Sequence, residues 1–352
     1  MDFDVRRKKM RAINLEYSKG AIRRAGEFLS TGGGDVEFFD AYTVLDNWRV
    51  SHDYPIQSML GYFRNKAFDC DKNAIVARRL KRTPSIIEKL RRESGMKLDR
   101  MEDIGGVRIV VSDLKKVEEV RRAIVDGRTR NLLRRDRDYI LRPKDSGYRG
   151  VHLIYRYNGA KKADFPFHNV ELQVRTKAQH AWATTVEVVG TFTRQGLKAS
   201  EGEARWLDFF KLAGKAFAAV ETGELGEESL NLQRELVRRA DNLGVMERLQ
   251  AYAVTTRYLN ERPKKGDRFF IMTLNANSGE IGVSRFQSLE EATSEYGRKE
   301  LELRDSDEED VVLVSTESIK TLKLAYPNYF ADTTHFRQQI RLMRARTTGE
   351  LL

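Results

Sequence analysis

Residues 142–175 read RPKDSGYRGVHLIYRYNGAKKADFPFHNVELQVR, and the last six of them carry the decisive pattern. In a strand, successive side chains point to opposite faces, so Val170, Leu172 and Val174 fall on one side and Glu171, Gln173 and Arg175 on the other. A half-buried strand ordinarily gives its polar face to water. Here that face is one carboxylate, one amide and one guanidinium, and the loop before the preceding strand adds Lys144, the Gly147-Tyr148 pair and His152. Ammonium, guanidinium, aromatic ring and imidazole beside a carboxylate suit a nucleotide phosphate site.

Working upstream, 105–111 reads as a strand and 114–125 as the amphipathic helix after it. Asp103 and Arg108 differ in parity, so they share a site only if Asp103 sits in the turn before the strand or Gly105-Gly106 holds a bulge. The plainer reading of the two glycines is close packing of a helix. Further upstream Arg79 and Lys81 lead into a helix start, with Thr83 as N-cap, Pro84 at the first helical position and Ser85 behind it. A basic segment running into a helix N-terminus gathers positive potential. Downstream, Thr176 is placed to cap a helix that brings Gln179, His180 and Glu187 near the end of the strand.

Two basic runs flank this region. Arg6, Arg7, Lys8 and Lys9 open a helix expected to end at Gly32-Gly33-Gly34, and seven arginines between 121 and 137, including Arg128, Arg130, Arg134 and Arg135, face only Asp126 and Asp136. Each suits a nucleic-acid contact or a solvated charged face, the second apart from any strand pattern. His52-Asp53 has no second metal-ligand pattern and reads as a helix-capping loop. Helices between 206 and 259 fit a lid, a connector or an oligomer interface equally well.

The chain has 352 residues, 40% hydrophobic and 33% charged, enough for two domains, and its net charge of +11 favours a polyanionic partner. Cys70 is the single cysteine, which excludes an internal disulfide and a multi-cysteine zinc site. No apolar run approaches the roughly 18 residues that span a bilayer, and the N-terminus has no signal-peptide pattern, so a cytoplasmic protein with no membrane partner is expected. After Arg262-Pro263 comes a hairpin over 269–286, a helix from 289, an acidic run 305–310, a strand over 311–314 and a last helix expected around 319–343, a small ββαβα module.

Four segments in order, R-x-K-x-x-x-S-I-I-E-K (79–89), D-I-G-G-V-R (103–108), K-x-S-G-Y-R-G-V-H (144–152) and E-L-Q-V-R-T (171–176), resemble the synthetase domain of the RelA/SpoT alarmone enzymes. The resemblance implies an α+β fold, a mixed sheet flanked by helices as in nucleotidyltransferases, over 1–215, then a helical connector over 216–262 and a regulatory module over 263–352. It also implies pyrophosphate transfer from ATP to a ribose 3′ hydroxyl with Mg²⁺. Asp103 and Glu171 would then hold the metal, with Glu171 also a candidate to take the acceptor's proton. Arg79 and Arg108 would sandwich the adenine, Lys81, Ser85 and Lys144 would serve the ATP phosphates, and Tyr148 would stack on the acceptor base. His152, Gln173, Arg175 and His180 would complete the phosphate and acceptor side. Gly150 and His180 depart from residues common in the family, which turns the expectation away from free GDP or GTP. Tyr326-Pro327-Asn328-Tyr329 resembles the Y-x-x-Y element of CapRel-type fused toxin–antitoxins. That likeness implies a pseudo-zinc-finger without zinc whose Tyr326 and Tyr329 obstruct the ATP site, a tRNA 3′ CCA acceptor bound by the basic runs, and release by a phage structural protein such as the major capsid protein. A small alarmone synthetase with a nucleotide acceptor, and a non-catalytic RNA-binding or phage-sensing module, are the alternatives.

Overall fold

The computed structural model describes residues 13–32, 35–161, 163–193, 197, 201–224, 226–255, 269–275, 281–303, 309–315 and 333–349. Arg6, Arg7, Lys8, Lys9, Tyr326 and Tyr329 lie outside them. A five-stranded sheet occupies the centre, built from β1 (Ile75–Leu80), β2 (Gly105–Val111), β3 (Leu132–Asp138), β4 (Val151–Arg156) and β5 (Asn169–Thr176) in the order β1-β2-β5-β4-β3. β2 and β5 run parallel and every other neighbour is antiparallel, so the sheet is mixed. The parallel pair needs a crossover, and α5 (Leu114–Val125) begins it, capped by Asp113, whose side chain accepts from the Lys116 amide.

The alternation of β2, β4 and β5 decides which face is covered. Val107, Ile109, Val111, Leu153, Tyr155, Leu172 and Val174 point to the side on which α3 (Asp53–Cys70) and α5 lie, and they close one core with Ile56, Phe63, Val117 and Ile124. At about 25 cal/mol per Å² of apolar area, each such fully buried side chain stabilises the fold by roughly 1.5–3 kcal/mol. The opposite face therefore carries Arg108, His152, Glu171, Gln173 and Arg175, with the apolar Val110 and Ile154 among them. A second core of helices α1 (Lys19–Thr31), α2 (Asp35–Ser51) and α4 (Thr83–Arg92) encloses Ile22, Leu29, Trp48, Ile86 and Leu90.

Beyond β5 the chain is helical: α6 (Lys177–Thr193), α7 (Ala204–Thr222), α8 (Glu227–Asn242) and α9 (Val245–Thr255). A three-stranded sheet follows, β6 (Phe269–Asn275), β7 (Ile281–Phe286) and β8 (Glu309–Ser315) in the order β7-β6-β8, with α10 (Leu289–Glu302) before β8. The final α11 (Thr334–Thr348) returns to the helical layer, where Phe336, Ile340 and Met343 are fully buried with Phe209, Phe210, Phe217 and Leu236. β8 also lies against β1, and the Arg49 guanidinium sits 4.6 Å from the centre of the Tyr296 ring. None of the described helices is long and apolar enough to cross a membrane.

Three local expectations change. Residues 132–138 form the edge strand β3 rather than lying apart from strands, because its backbone pairs with β4 even though most of its side chains are exposed. The helix after Lys81 is capped by Arg82, and Thr83 is its first residue, a one-position shift that places Pro84 in the first turn. The last helix starts at Thr334, and the residues before 333 on which the expected start fell are not among those described.

His52 is the N-cap residue of α3, as expected of a capping loop, but its side chain makes no cap hydrogen bond and is buried. Its Nδ1 lies 2.8 Å from the Trp48 carbonyl, and its ring is 4.4 Å from His168, whose Nε2 lies 2.7 Å from the Ser51 hydroxyl. Burial pushes His52 down to about 3, and His168 is held below its ordinary range by burial and by His52. Both pKa values are depressed on folding, so below pH 6.5 the unfolded chain binds protons that the folded chain does not. Stability should fall as pH drops from about 6.5 toward 3, by about 1.4 kcal/mol per pH unit for each histidine. Urea unfolding at pH 7 and pH 5 checks this: His52→Gln should flatten the dependence, and an unchanged slope would show that His52 does not contribute.

Candidate active site

The strand register assembles the polar face. Arg79 is paired with Gly106, which is paired with Glu171, and one row further Arg108, Gln173 and His152 are cross-strand neighbours. Directly paired residues project to the same side, so these chains share the face opposite the core. Gly106 permits the arrangement, since a Cβ there would stand 2.2 Å from the Glu171 carbonyl oxygen. Gly105 serves the expected helix packing, its absent Cβ leaving room for Ile56 of α3. The two glycines thus have separate roles, one on each face.

Asp103 lies in the loop ahead of β2, as its parity requires, and that loop is tied to the end of β1 by the Lys81 amide donating to the Ile104 carbonyl at 2.7 Å. Lys81 Nζ is 2.8 Å from Asp103 Oδ2 and Lys89 Nζ 3.1 Å from Oδ1, so each carboxylate oxygen meets an ammonium. Burial pushes the Asp103 pKa up, but the two lysines outweigh it and hold the group below the usual carboxylate range. Arg79, Lys81, Asp103, Arg108, Glu171 and Gln173 line one narrow cavity with Gly106 and Val107.

On the β4 side a chain of hydrogen bonds continues from Glu171. Its Oε1 lies 2.8 Å from His152 Nδ1, and His152 Nε2 lies 2.6 Å from the Tyr148 hydroxyl. Gln173 Nε2 donates to Glu171 Oε2 at 2.8 Å, and Arg175 donates to Gln173 Oε1. Burial opposes charge on His152, but Tyr148 and Glu171 raise it to about 9. As an imidazolium it donates from both nitrogens. Burial alone would raise Tyr148, whereas His152 and Arg175 bring it down to about 8. Burial likewise works against ionised Glu171, and His152 holds it low while Asp103 pushes it back up. Lys144 Nζ lies 4.8 Å from the Tyr139 ring centre and 5.4 Å from that of Tyr148, with the Arg175 guanidinium 5.8 Å from Tyr148.

Most of the expected site residues therefore come together. Ser85, in the first turn of α4, and His180, buried in α6, do not line the cavity. Thr176 caps α6 through a reciprocal pair: its amide donates to Gln179 Oε1 and its hydroxyl accepts from the Gln179 amide. Arg128, Arg130 and Arg134 are exposed at β3 and the turn before it and carry no ion pair among the described residues, whereas Arg135 pairs with Glu102 at 2.7 Å. Lys89 and Tyr139 have no role that the sequence pattern assigns. Lys89 is the last residue of the 79–89 segment, a usable signal, while nothing in the local pattern marks Tyr139.

No group of three or more His, Cys, Asp or Glu side chains suited to a metal occurs among the described residues. Asp103 and Glu171 nevertheless fit a magnesium ion. They are two hard oxygen donors lining one cavity, and such an ion takes one or two carboxylates and fills its shell with phosphate and water oxygens. Two carboxylates and several cations thus share one site bounded by the sheet.

Residues 78–190 match the family described as the region found in RelA / SpoT proteins. The GTP pyrophosphokinase YjbM of Bacillus subtilis is 38% identical over 114 residues, 31% of this chain and 52% of that protein. The GTP pyrophosphokinase of Escherichia coli K12 is 28% identical over 137 residues, 39% of this chain and 17% of that protein. The crystal structure of small alarmone synthetase 1 from Bacillus subtilis with its product pppGpp aligns over 51% of this chain and 93% of that one, at 23% identity and a TM-score of 0.43. The chain thus spans about half the length of YjbM.

His152 should titrate near pH 9 in the folded protein, visible as its imidazole proton resonance. Because its folded pKa exceeds 6.5, the stability it contributes is complete below pH 6.5 and is lost as pH rises through about 9. Glu171→Gln should move that titration toward 6.5, and a midpoint left near 9 would show that Glu171 does not hold the proton there.

Proposed function

We propose that the chain transfers the terminal pyrophosphate of ATP to a ribose 3′ hydroxyl. The observation that carries this reading is that six side chains from three separate segments line one cavity inside the RelA/SpoT-type domain. Arg79 and Arg108 suit an adenine held between guanidinium planes. Lys81 and Lys89, which neutralise Asp103 in the structure, are within reach of phosphates once Asp103 has another cation. Asp103 and Glu171 would hold Mg²⁺, which when bound neutralises phosphate oxygens. Tyr148 offers its ring to the acceptor base, and Glu171, bridged to Tyr148 by His152, is placed to receive the hydroxyl proton. A nucleotide acceptor, as the GTP pyrophosphokinase relatives are named for, is the better supported choice. With γ-labelled ATP, GDP and deacylated tRNA offered together, label should pass to an acceptor and be lost at least a hundredfold in Glu171→Gln. No labelled product from either acceptor would overturn the reading, and undiminished transfer by Glu171→Gln would remove that residue's role.

A second reading, with the tRNA 3′ CCA end as acceptor, is favoured by the exposed Arg128, Arg130 and Arg134, since a mononucleotide needs no such surface. Under it the chain is a toxin that halts translation, shut at rest by Tyr326 and Tyr329 and released by a phage structural protein such as the major capsid protein. The support for a shut state is that β8 lies against β1, the strand that carries Arg79. Truncation near Arg262 is a poor test, because it removes Phe336, Ile340 and Met343 from the helical core. Two substitution sets discriminate. Replacing Arg128, Arg130 and Arg134 with alanine should reduce transfer to tRNA and lower its salt dependence by about 0.9 per arginine in log–log slope, with GDP transfer unchanged. Tyr326→Ala or Tyr329→Ala should raise the basal rate without a trigger, and an unchanged rate in both would remove the autoinhibition.

A further inference from the structure

Helix α7 lies outside the residues that match the RelA/SpoT region, yet it packs directly on the loop of the acceptor side. Gly147, at φ +92°, and Gly214 of α7 touch backbone to backbone: a Cβ on Gly214 would be 2.5 Å from the Gly147 carbonyl oxygen. One turn earlier, the Phe210 carbonyl accepts from Trp182 Nε1 of α6 at 2.9 Å. One face of α7 therefore touches both segments that carry the acceptor side of the site.

Glu221 completes this contact. Its Oε2 accepts from Arg149 Nη1 at 2.6 Å, in an ion pair whose side chains are 7% and 11% exposed, and from Gln179 Nε2 at 3.4 Å. Its Oε1 accepts from the Thr176 hydroxyl. Arg149 follows Tyr148, and Thr176 follows Arg175. One buried carboxylate is thus bonded to the immediate neighbours of the two residues whose ring and guanidinium lie 5.8 Å apart. The helix itself does not favour this choice, since a carboxylate in the last turn opposes the macrodipole. Nor is the pair an exposed ornament, because a buried charge that loses its partner leaves the other uncompensated.

We propose that Glu221 is a positioning residue for the acceptor half of the site, locking the 144–150 loop to the β5–α6 junction so that Tyr148 and Arg175 keep their spacing. The inference rests on the pyrophosphokinase reading for the word acceptor, but the lock itself does not. Helix α7 thereby gains a second role, because Phe209, Phe210 and Phe217 also hold Phe336 of α11, and the C-terminal helix and the acceptor loop share one support.

The test uses the full chain and the shape-conserving Glu221→Gln, with Glu221→Asp as the charge-conserving companion. Amide hydrogen exchange at 147–150 and 176–179 should quicken at least about tenfold in Glu221→Gln, with exchange over 75–80 and 105–111 unchanged. With whichever of GDP and deacylated tRNA the wild-type chain labels, the acceptor KM should rise about tenfold or more while the KM for ATP stays constant. Glu221→Asp should recover part of both effects. Unchanged exchange overturns the lock. Faster exchange with an unchanged acceptor KM, or equal losses for ATP and acceptor, reduces Glu221 to a structural residue and overturns the proposal. A wild-type chain that labels neither acceptor overturns the pyrophosphokinase reading, and the acceptor role with it, while exchange still decides the lock.

Discussion

The site depends on how closely β2 and β5 approach. Two carboxylates lie in one cavity, and like charges resist that placement: Asp103 pushes the Glu171 pKa up. The fold holds them there in two ways. Gly106 removes the side chain that would strike the Glu171 backbone, and Lys81, Lys89 and His152 place positive charge against the carboxylate oxygens. The result is a cavity in which cations outnumber the two carboxylates they meet. Interactions among such groups are stronger than in water, and an unmatched one would be correspondingly costly.

Each layer of the molecule serves one side of this constraint. The α3–α5 core fixes the sheet from behind, so the polar rows cannot rotate toward that layer. The β1–α4 segment brings in Arg79, Lys81 and Lys89 from one edge. From the other edge the 144–150 loop brings Lys144 and Tyr148, and this loop has little regular structure of its own. Its position depends on α7, through the glycine contact and the buried Arg149–Glu221 pair. Because α7 also packs on α11, the helical layer is shared between the synthetase-type domain and the end of the chain.

The four segments between 79 and 176 were legible because each is local: alternation sets the face of Glu171, Gln173 and Arg175, and parity asks for either a turn at Asp103 or a bulge at Gly105-Gly106. Ser85 and His180 show the limit. Both belong to recognisable segments, but His180 is buried in α6 and Ser85, in the first turn of α4, does not line the cavity. The arginine run shows another limit, since backbone pairing with β4 makes a strand of residues whose side chains are mostly charged and exposed. His52 does stand at the N-cap of α3, but its burial was not legible, because packing against Trp48 and His168 involves a partner more than a hundred residues away.

By itself the sequence determined the strand faces, the order of the four site segments and the charge balance, because these follow from side-chain period and composition. Only the tertiary structure decided which cation meets which carboxylate, that Gly105 and Gly106 serve opposite faces, and that Glu221 reaches back to Arg149. Those contacts join residues up to 72 positions apart, and their specificity comes from the packing distance between elements, which no local pattern encodes.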